Sequence, residues 1–478
     1  MSVRSNIEPN PISLDEFPRG STFHLVGAGG AGMSAIAIVL LEMGYRVEGS
    51  DLKESSYVRR QRELGAAIGL GHRAENLGDS LVVVRSSAIR ADNPEILEAE
   101  RRGIPVISRA QMLAAIMATR RGIAVAGTHG KTTTSSIITW MLTGSGADPS
   151  YLIGGELNEI GGNAHYGTGE FLVAEADESD GSLLYLRPEA AVLTNIDWDH
   201  LDYFDSLEHT ARVFRDFLDV LPPEGFAVIC GDDARARVVG EEYRASGGEV
   251  VFYGQLRDNQ YRFEVNETGA GGSTYAAMLD GDVLAEAKIE LPGMHNIYNS
   301  LAALAVGHRL GFGLDGLLEG IAGCRGVRRR FENVGERGGI KVLDDYAHHP
   351  TEVKAVLDMA RDITDARVVA VFQPHRYTRT RMLGRQFGEC FGGAGLVVVT
   401  DVYDAGEVPE PGVTGKLVAE SIAEHDPSKE VVYVESRAGL ARDVVGLLEP
   451  GDMVITIGAG DITECAREIL ELLPDSEG

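Results

Sequence analysis

Lysine is scarce in this chain: seven occur in 478 residues, at positions 53, 131, 288, 341, 354, 416 and 429, so where each one falls is informative. Basic residues as a whole are outnumbered, 44 Lys and Arg against 72 Asp and Glu, giving a net charge of −28. That balance excludes the basic footprint of a general nucleic-acid binder and leaves a well-solvated acidic surface. Cysteine is equally sparse. The four at 230, 324, 390 and 465 form no CxxC zinc pair, and the opening residues are not expected to be a secretory leader. The thiols are therefore expected to be reduced and the chain cytoplasmic. No apolar run approaches the roughly 18 residues of a membrane span. Residues 1–20, polar and proline-containing, read as a flexible arm rather than a targeting signal.

A chain of this length accommodates about three domains of roughly 150 residues. Three α/β blocks are visible. The first opens with a strand at Thr22–Val26, a glycine turn and a helical stretch Met33–Met43. Strands at Arg46–Glu48 and Leu81–Val84 follow, an alternation that predicts a parallel sheet with crossover helices. The second opens with a strand at Ile123–Ala126 and a helix from Thr132, with further strands at Phe171–Ala174 and Ala191–Ile196. Between 248 and 291 the period switches to two (VVFY, YRFEV, STYAAM), which predicts antiparallel hairpins on the same domain. A helix from Ser300 to Leu310 leads to GFGLDGLLEGIAGCRG, whose glycines predict a linker near 324. Strands at Lys341–Leu343, Val368–Phe372, Leu396–Thr400, Val431–Val434 and Val454–Ile457 make the third block.

The strongest chemical signal is IAVAGTHGKTTT, residues 123–134. A strand enters a glycine turn, and a helix begins at Lys131-Thr132. Backbone N–H groups and the positive end of a helix dipole then face a polyphosphate. Lys131 adds a point charge for the β/γ oxygens, and Thr132 offers a hydroxyl to Mg²⁺. Val125 stands where the usual loop has its first glycine, with Gly127 instead, so this is not the standard GTPase-type loop. Acids follow at the ends of two further strands, Glu175-Ala-Asp177-Glu178 and Asn195-Ile-Asp197-Trp-Asp199-His200. Ligands of open α/β sheets gather at such ends.

A second glycine loop, Gly27-Ala-Gly29-Gly30-Ala-Gly32, has the form G-x-G-x-x-G after a strand, with Asp51 ending the next one. Alone it is a dinucleotide fingerprint with Asp51 on a ribose. Any nucleotide diphosphate satisfies the same N–H groups. With an ATP loop already at Lys131, a nucleotide-bearing substrate is the expected occupant rather than NAD.

Nine motifs, HLVGAGGAGMSAIA, GTHGKTTT, AEADESDGS, TNIDWDHLDY, HNIYNSLAA, VRRRFE, DDYAHHPTE, FQPHRYTRT and GAGD, run in order from about residue 22 to 465. Together they resemble the Mur ligases of bacterial cell-wall synthesis. The resemblance implies a Rossmann-like UDP-binding domain at 21–121, a central phosphate-loop ATPase-like domain with an antiparallel hairpin region at 122–324, and a Rossmann-like amino-acid domain at 325–478. It implies UDP-N-acetylmuramate on Gly29, Gly30, Asp51, His72, Ser86, Ser87, Glu178 and Ser179. ATP is implied on Gly127, Thr128, His129, Gly130, Lys131, Thr132, Thr133, Asn296, Asn299 and Arg330. Mg²⁺ falls to Thr132 and Glu175, with His200 serving a second metal. L-Alanine falls to Tyr346, His348, Arg376 and Arg379. The catalytic group it implies is Lys131, Glu175, His200, Arg330, Asp345 and His348.

Family members that add glutamate, a diamino acid or a dipeptide carry a carbamylated central-domain lysine that bridges the metals. No lysine lies between Lys131 and Lys288, which fits the alanine-adding branch. Local chemistry leaves several roles open. Asn296 either reads an adenine edge or caps the helix it is expected to precede. Arg328–Arg330 either neutralise a transferred phosphoryl or form a solvated basic run. Arg376 and Arg379 either fork onto a carboxylate or pair on the surface.

Overall fold

The computed structural model describes residues 12–86, 88–157, 162–178, 181–199, 204 and 206–475. Two compact units result. One holds the chain to Asn266 with Thr274–Leu291 and His295–Gly326; the other holds Val327 onward with Glu267–Ser273 and Pro292–Met294.

The first unit carries a five-stranded sheet of β1 (Thr22–Val26), β2 (Arg46–Asp51), β3 (Ala67–Leu70), β4 (Val82–Arg85) and β5 (Val106–Ser108), in the order β3-β2-β1-β4-β5. All its pairings are parallel. Strand order reverses between β1 and β4, the place where such sheets take ligands. The helix Ala31–Glu42 is buried continuously from Met33 to Leu40. An all-round apolar helix must be covered on every side.

The next sheet comprises β6 (Arg121–Ala126), β7 (Ser150–Leu152), β8 (Ala164–His165), β9 (Phe171–Glu175), β10 (Ala190–Leu193), β11 (Phe226–Cys230), β12 (Glu249–Gly254), β13 (Tyr261–Gly269), β14 (Gly272–Leu279) and β15 (Asp282–Ile289). Its order is β15-β14-β13-β12-β11-β10-β6-β9-β7-β8. The phosphate-loop strand β6 thus lies between the two strands whose acidic ends were expected to accompany it. The segment VVFY departs from expectation. As part of β12 it runs parallel to both β11 and β13, and burial on both faces makes its run apolar throughout. The hairpin geometry begins further on: Asp280 (φ +50°) and Gly281 (φ +99°) both occupy the left-handed region, as the two-residue turn joining β14 to β15 requires.

One helix boundary also differs from expectation. The helix expected at Ser300 starts at Met294, so Asn296 lies inside its first turn rather than before it. The glycine-rich stretch leading to the linker expected near 324 is a helix, Leu314–Gly323. Its glycines permit close approach: a Cβ on Gly320 would come within 2.5 Å of Met141 Cα in the helix Lys131–Gly144.

The second unit carries β16 (Glu332–Arg337), β17 (Ile340–Asp345), β18 (Val368–Phe372), β19 (Leu396–Thr400), β20 (Glu430–Val434) and β21 (Met453–Ile457), ordered β16-β17-β21-β18-β19-β20. Only β16, absent from the sequence reading, pairs antiparallel. Ile462, Cys465, Ala466 and Ile469 form the helical stripe that packs on the sheet's valines. All four cysteines are buried thiols outside any disulfide. Among the described residues no helix is long and apolar enough to cross a membrane.

Candidate active site

The phosphate loop is shaped by its neighbours. Gly127 has φ +127°, and a Cβ there would fall 2.1 Å from Thr194 Oγ1, so glycine is required at this point. Thr194 Oγ1 and Asn195 Nδ2 donate to the His129 carbonyl at 2.6 and 2.9 Å, and His129 N–H donates to Asn195 Oδ1 at 2.9 Å. Thr128 Oγ1 accepts from Asp197 N–H at 2.9 Å. The end of β10 therefore holds the loop open toward the start of helix Lys131–Gly144. Gly130, at φ +83°, precedes that helix, and a Cβ on it would lie 3.0 Å from Asn299 Oδ1. Asn299 Oδ1 also accepts from Thr134 Oγ1 at 3.1 Å, and Asn299 Nδ2 donates to Asn296 Oδ1 at 3.2 Å. Both asparagines thus belong to the loop's surroundings.

Lys131 Nζ donates to the carbonyls of Gly127 and Thr128 at 2.6 and 3.1 Å and to both oxygens of Glu178 at 2.9 and 2.8 Å. Burial by itself would lower the ammonium's pKa. Glu178, then Asp177 and Glu175, outweigh burial and hold it above the usual lysine value. Glu178, expected at the substrate, is thus engaged with Lys131. Glu175 ends β9 as the register partner of Val125 on β6, and its Oε1 accepts from Gly154 N–H at 2.6 Å. The hydroxyl of Thr132 and the carboxylate of Glu175 are hard oxygen donors, suited to Mg²⁺.

The other glycine loop lies at the switch point of the five-stranded sheet. Asp51 Oδ2 accepts from Gly29 N–H at 2.7 Å, and a Cβ on Gly29 would meet that oxygen at 2.8 Å. Gly30 precedes the helix Ala31–Glu42. Ser86, just past β4, donates its N–H to the Val26 carbonyl at 3.1 Å. His72, following β3, bonds through Nδ1 to Ser50 Oγ at 2.8 Å. Ser87, Ser179 and His200 lie outside the described residues.

Sequence reading missed Arg109. It starts the helix Arg109–Met117, reaches Asp177 at 3.5 Å, and lies where a Cβ on Gly32 would touch it at 2.8 Å. A guanidinium therefore stands between the two nucleotide loops. Nothing local marks it, because its preceding serine forms an ordinary capping box.

In the second unit, Asp345 at the end of β17 accepts from Phe331 and Ala347 N–H groups, both at 2.7 Å. Burial pushes its pKa up to about 6, against the pull of Arg330 and those two N–H groups. Arg330 and Arg329 both lie over the Tyr346 ring, 5.4 and 4.9 Å from its centroid. The His348 ring sits 5.4 Å from Tyr346 and 5.7 Å from His375. Arg379, 9 % exposed, donates to His375 Nδ1 at 3.3 Å. Burial first, then the charges of His348, Arg379 and Arg376, lowers the His375 pKa to about 3, so this ring stays neutral. Arg376 holds φ +70°, a conformation that non-glycine residues adopt at a cost and that recurs at ligand sites. All four expected amino-acid-site residues thus fall in one cluster with Asp345 and Arg330. His375 was missed although FQPHRYTRT contains it.

Two glycine loops, each feeding a helix, and a separate cluster of arginines and histidines make up the candidate site. Family models match in three stretches: Mur ligase family, catalytic domain, at 22–121; Mur ligase middle domain at 125–307; and Mur ligase, glutamate ligase domain, at 329–460. The chain belongs to the Mur ligase family. It is 49 % identical over 452 residues to the UDP-N-acetylmuramate–L-alanine ligase of Rubrobacter xylanophilus, covering 94 % of this chain and 99 % of the relative. It is 48 % identical over 468 residues to the ligase of that name from Saccharopolyspora erythraea, covering 96 % and 95 %. The crystal structure of UDP-N-acetylmuramate-alanine ligase from Thermotoga maritima superposes with a TM-score of 0.79 at 29 % identity, covering 94 % and 98 %. A murein peptide ligase from Psychrobacter arcticus shares the fold, with a TM-score of 0.69 at 21 % identity, covering 95 % and 98 %.

Proposed function

We propose that this enzyme joins L-alanine to the lactyl carboxylate of UDP-N-acetylmuramate, consuming ATP, in bacterial peptidoglycan synthesis. The observation that carries the reading is the Lys131 loop, held between the acidic ends of β9 and β10 beside a second glycine loop at a sheet's switch point. The names of the relatives and the absence of lysine between 131 and 288 support the alanine-adding member. Domain borders near 121 and 324 and a cytoplasmic location belong to the same reading.

ATP's phosphates lie along the Gly127–Thr133 N–H groups, and Lys131 leaves Glu178 for the β/γ oxygens. Thr132 and Glu175 would hold Mg²⁺, with His200 at a second metal; the cation supplies charge neutralisation on the phosphates. Gly29, Gly30, Asp51, His72, Ser86, Ser87 and Ser179 receive the UDP-sugar. Arg109, between the loops, aligns the lactyl end with the phosphate loop. The carboxylate takes the γ-phosphoryl, forming an acyl-phosphate and ADP. The alanine amine then attacks the acyl carbon, and phosphate departs through a tetrahedral intermediate. Arg376 and Arg379 hold the alanine carboxylate, with Tyr346 and His348 beside it. Asp345 and Arg330 border the reacting amine, and Asn296 and Asn299 border the nucleotide. Alanine's methyl offers only about 0.8 kcal/mol, so the charged groups supply its affinity.

Phosphate release with ATP, UDP-N-acetylmuramate and alanine, glycine or serine in turn tests this reading. Release that requires all three reactants and is fastest with alanine is expected. Release with a tripeptide but not with alanine would reassign the chain to peptide recycling.

A further inference from the structure

The five-stranded sheet buries a polar chain that the reaction does not explain. Glu95, in the first turn of the helix Pro94–Arg102, is fully buried, as are His24 on β1 and Ser50 on β2. Glu95 Oε2 meets His24 Nε2 and Ser50 Oγ, both at 2.7 Å. Its Oε1 accepts from Asn76 Nδ2 at 2.7 Å and Arg73 N–H at 3.0 Å. Ser50 Oγ in turn lies 2.8 Å from His72 Nδ1, and His72 keeps 12 % of its side chain exposed beside Asp51's strand end.

Burying an ionised carboxylate costs several kcal/mol before its partners are counted, and well-packed apolar side chains would do the structural job at least as well. Burial indeed acts to raise the Glu95 pKa, but hydrogen bonds from His24, Ser50 and Asn76 bring it down to about 2. Glu95 is therefore an acceptor only. Ser50 has a single hydroxyl proton and donates it to Glu95. Its oxygen can then only accept from His72, which places a proton on His72 Nδ1. In the neutral ring, Nε2 is left as a bare acceptor.

We propose that Glu95 and Ser50 are positioning residues that fix His72 as its Nδ1–H tautomer, so that Nε2 accepts a hydrogen bond from an N–H or O–H of the substrate's nucleoside. The proposal rests on the reading of the Gly27–Gly32 loop as the UDP-sugar site. It commits His72 to a donor on the base or ribose, which a neutral Nε2 can meet, rather than to the diphosphate.

Nitrogen-15 NMR of the histidine side chains reads the tautomer directly. Neutral His72 should show a protonated Nδ1 and a bare Nε2. Ser50→Ala should release the ring toward the Nε2–H form that free histidine favours. In kinetics, Ser50→Ala and Glu95→Gln should each raise KM for UDP-N-acetylmuramate roughly tenfold, with kcat and the ATP KM little changed. Neither should add to the loss in a His72→Gln background. Ser50→Ala, which leaves Glu95 and its other partners in place, covers the case in which Glu95→Gln does not fold. A neutral His72 protonated at Nε2 in the wild type, or losses that add to those of His72→Gln, would overturn the proposal. A wild type that bound no UDP-sugar would instead overturn the site reading, with the tautomer measured independently.

Discussion

Lys131 gathers three carboxylates around one ammonium, so replacing it acts on chemistry and stability together. Its loss removes the charge facing the phosphates, which typically costs 10²–10³ or more in rate, roughly 3–4 kcal/mol. It also leaves Glu178, 1 % exposed, without its cation, and breaking such a buried pair costs about 3–5 kcal/mol. Lys131→Met should therefore lose turnover and lower Tm. Adding Glu178→Gln should recover much of the Tm but none of the turnover. Normal phosphate release by Lys131→Met would remove ATP from this loop. Asp345 supplies a pH test. Its folded pKa of about 6 lies above the ordinary 3.8, so the folded state favours the protonated acid. A penalty on folding is absent below pH 4 and grows as pH rises to about 6, approaching roughly 3 kcal/mol. Denaturation of Asp345→Asn should show it gaining on the wild type between pH 4 and 7; a pH-independent difference would refute the assignment. The positions of Lys131 at a helix start, Glu175 at a strand end and Arg376 and Arg379 just past a strand were legible in the sequence because residue type and spacing mark them. Arg109, His375 and the engagement of Glu178 were not, because each depends on a partner from another element.

Among the elements, β1, β18 and β19 were read with the bounds found, whereas β3, β5 and β11 were not read at all. Errors came where local chemistry and packing disagree. VVFY was expected in a hairpin but is apolar throughout and buried on both faces within a parallel set. The glycine-rich stretch 314–323, ahead of the linker expected near 324, forms a helix whose glycines let the helix Lys131–Gly144 approach backbone to backbone. Gly320→Ala tests that approach. In an open helix alanine would stabilise by about 1 kcal/mol. Against Met141 Cα at 2.5 Å the new Cβ cannot fit, and overpacking costs about 1–3 kcal/mol. A lower Tm is expected, and a higher one would show that the two helices are not in close contact.

Across the whole molecule, three sheets divide the work. One carries a glycine loop with no lysine, one carries a glycine loop with Lys131, and one carries the arginines and histidines of the expected amino-acid pocket. That division was visible from motif order alone, and the three family-model matches follow it. The grouping into two compact units was not visible, since Asn163, Tyr166 and His165 of the second sheet's region bond to Ala31 and Glu42 of the first glycine helix, contacts with no local signature. In the proposed reaction the UDP-sugar's carboxylate is phosphorylated before the amine attacks. Oxygen-18 in both carboxylate oxygens of UDP-N-acetylmuramate tests it. Each turnover with ATP and alanine should release phosphate carrying one heavy oxygen, the other remaining in the amide. Unlabelled phosphate accompanying amide formation would contradict an acyl-phosphate intermediate and the proposed reaction.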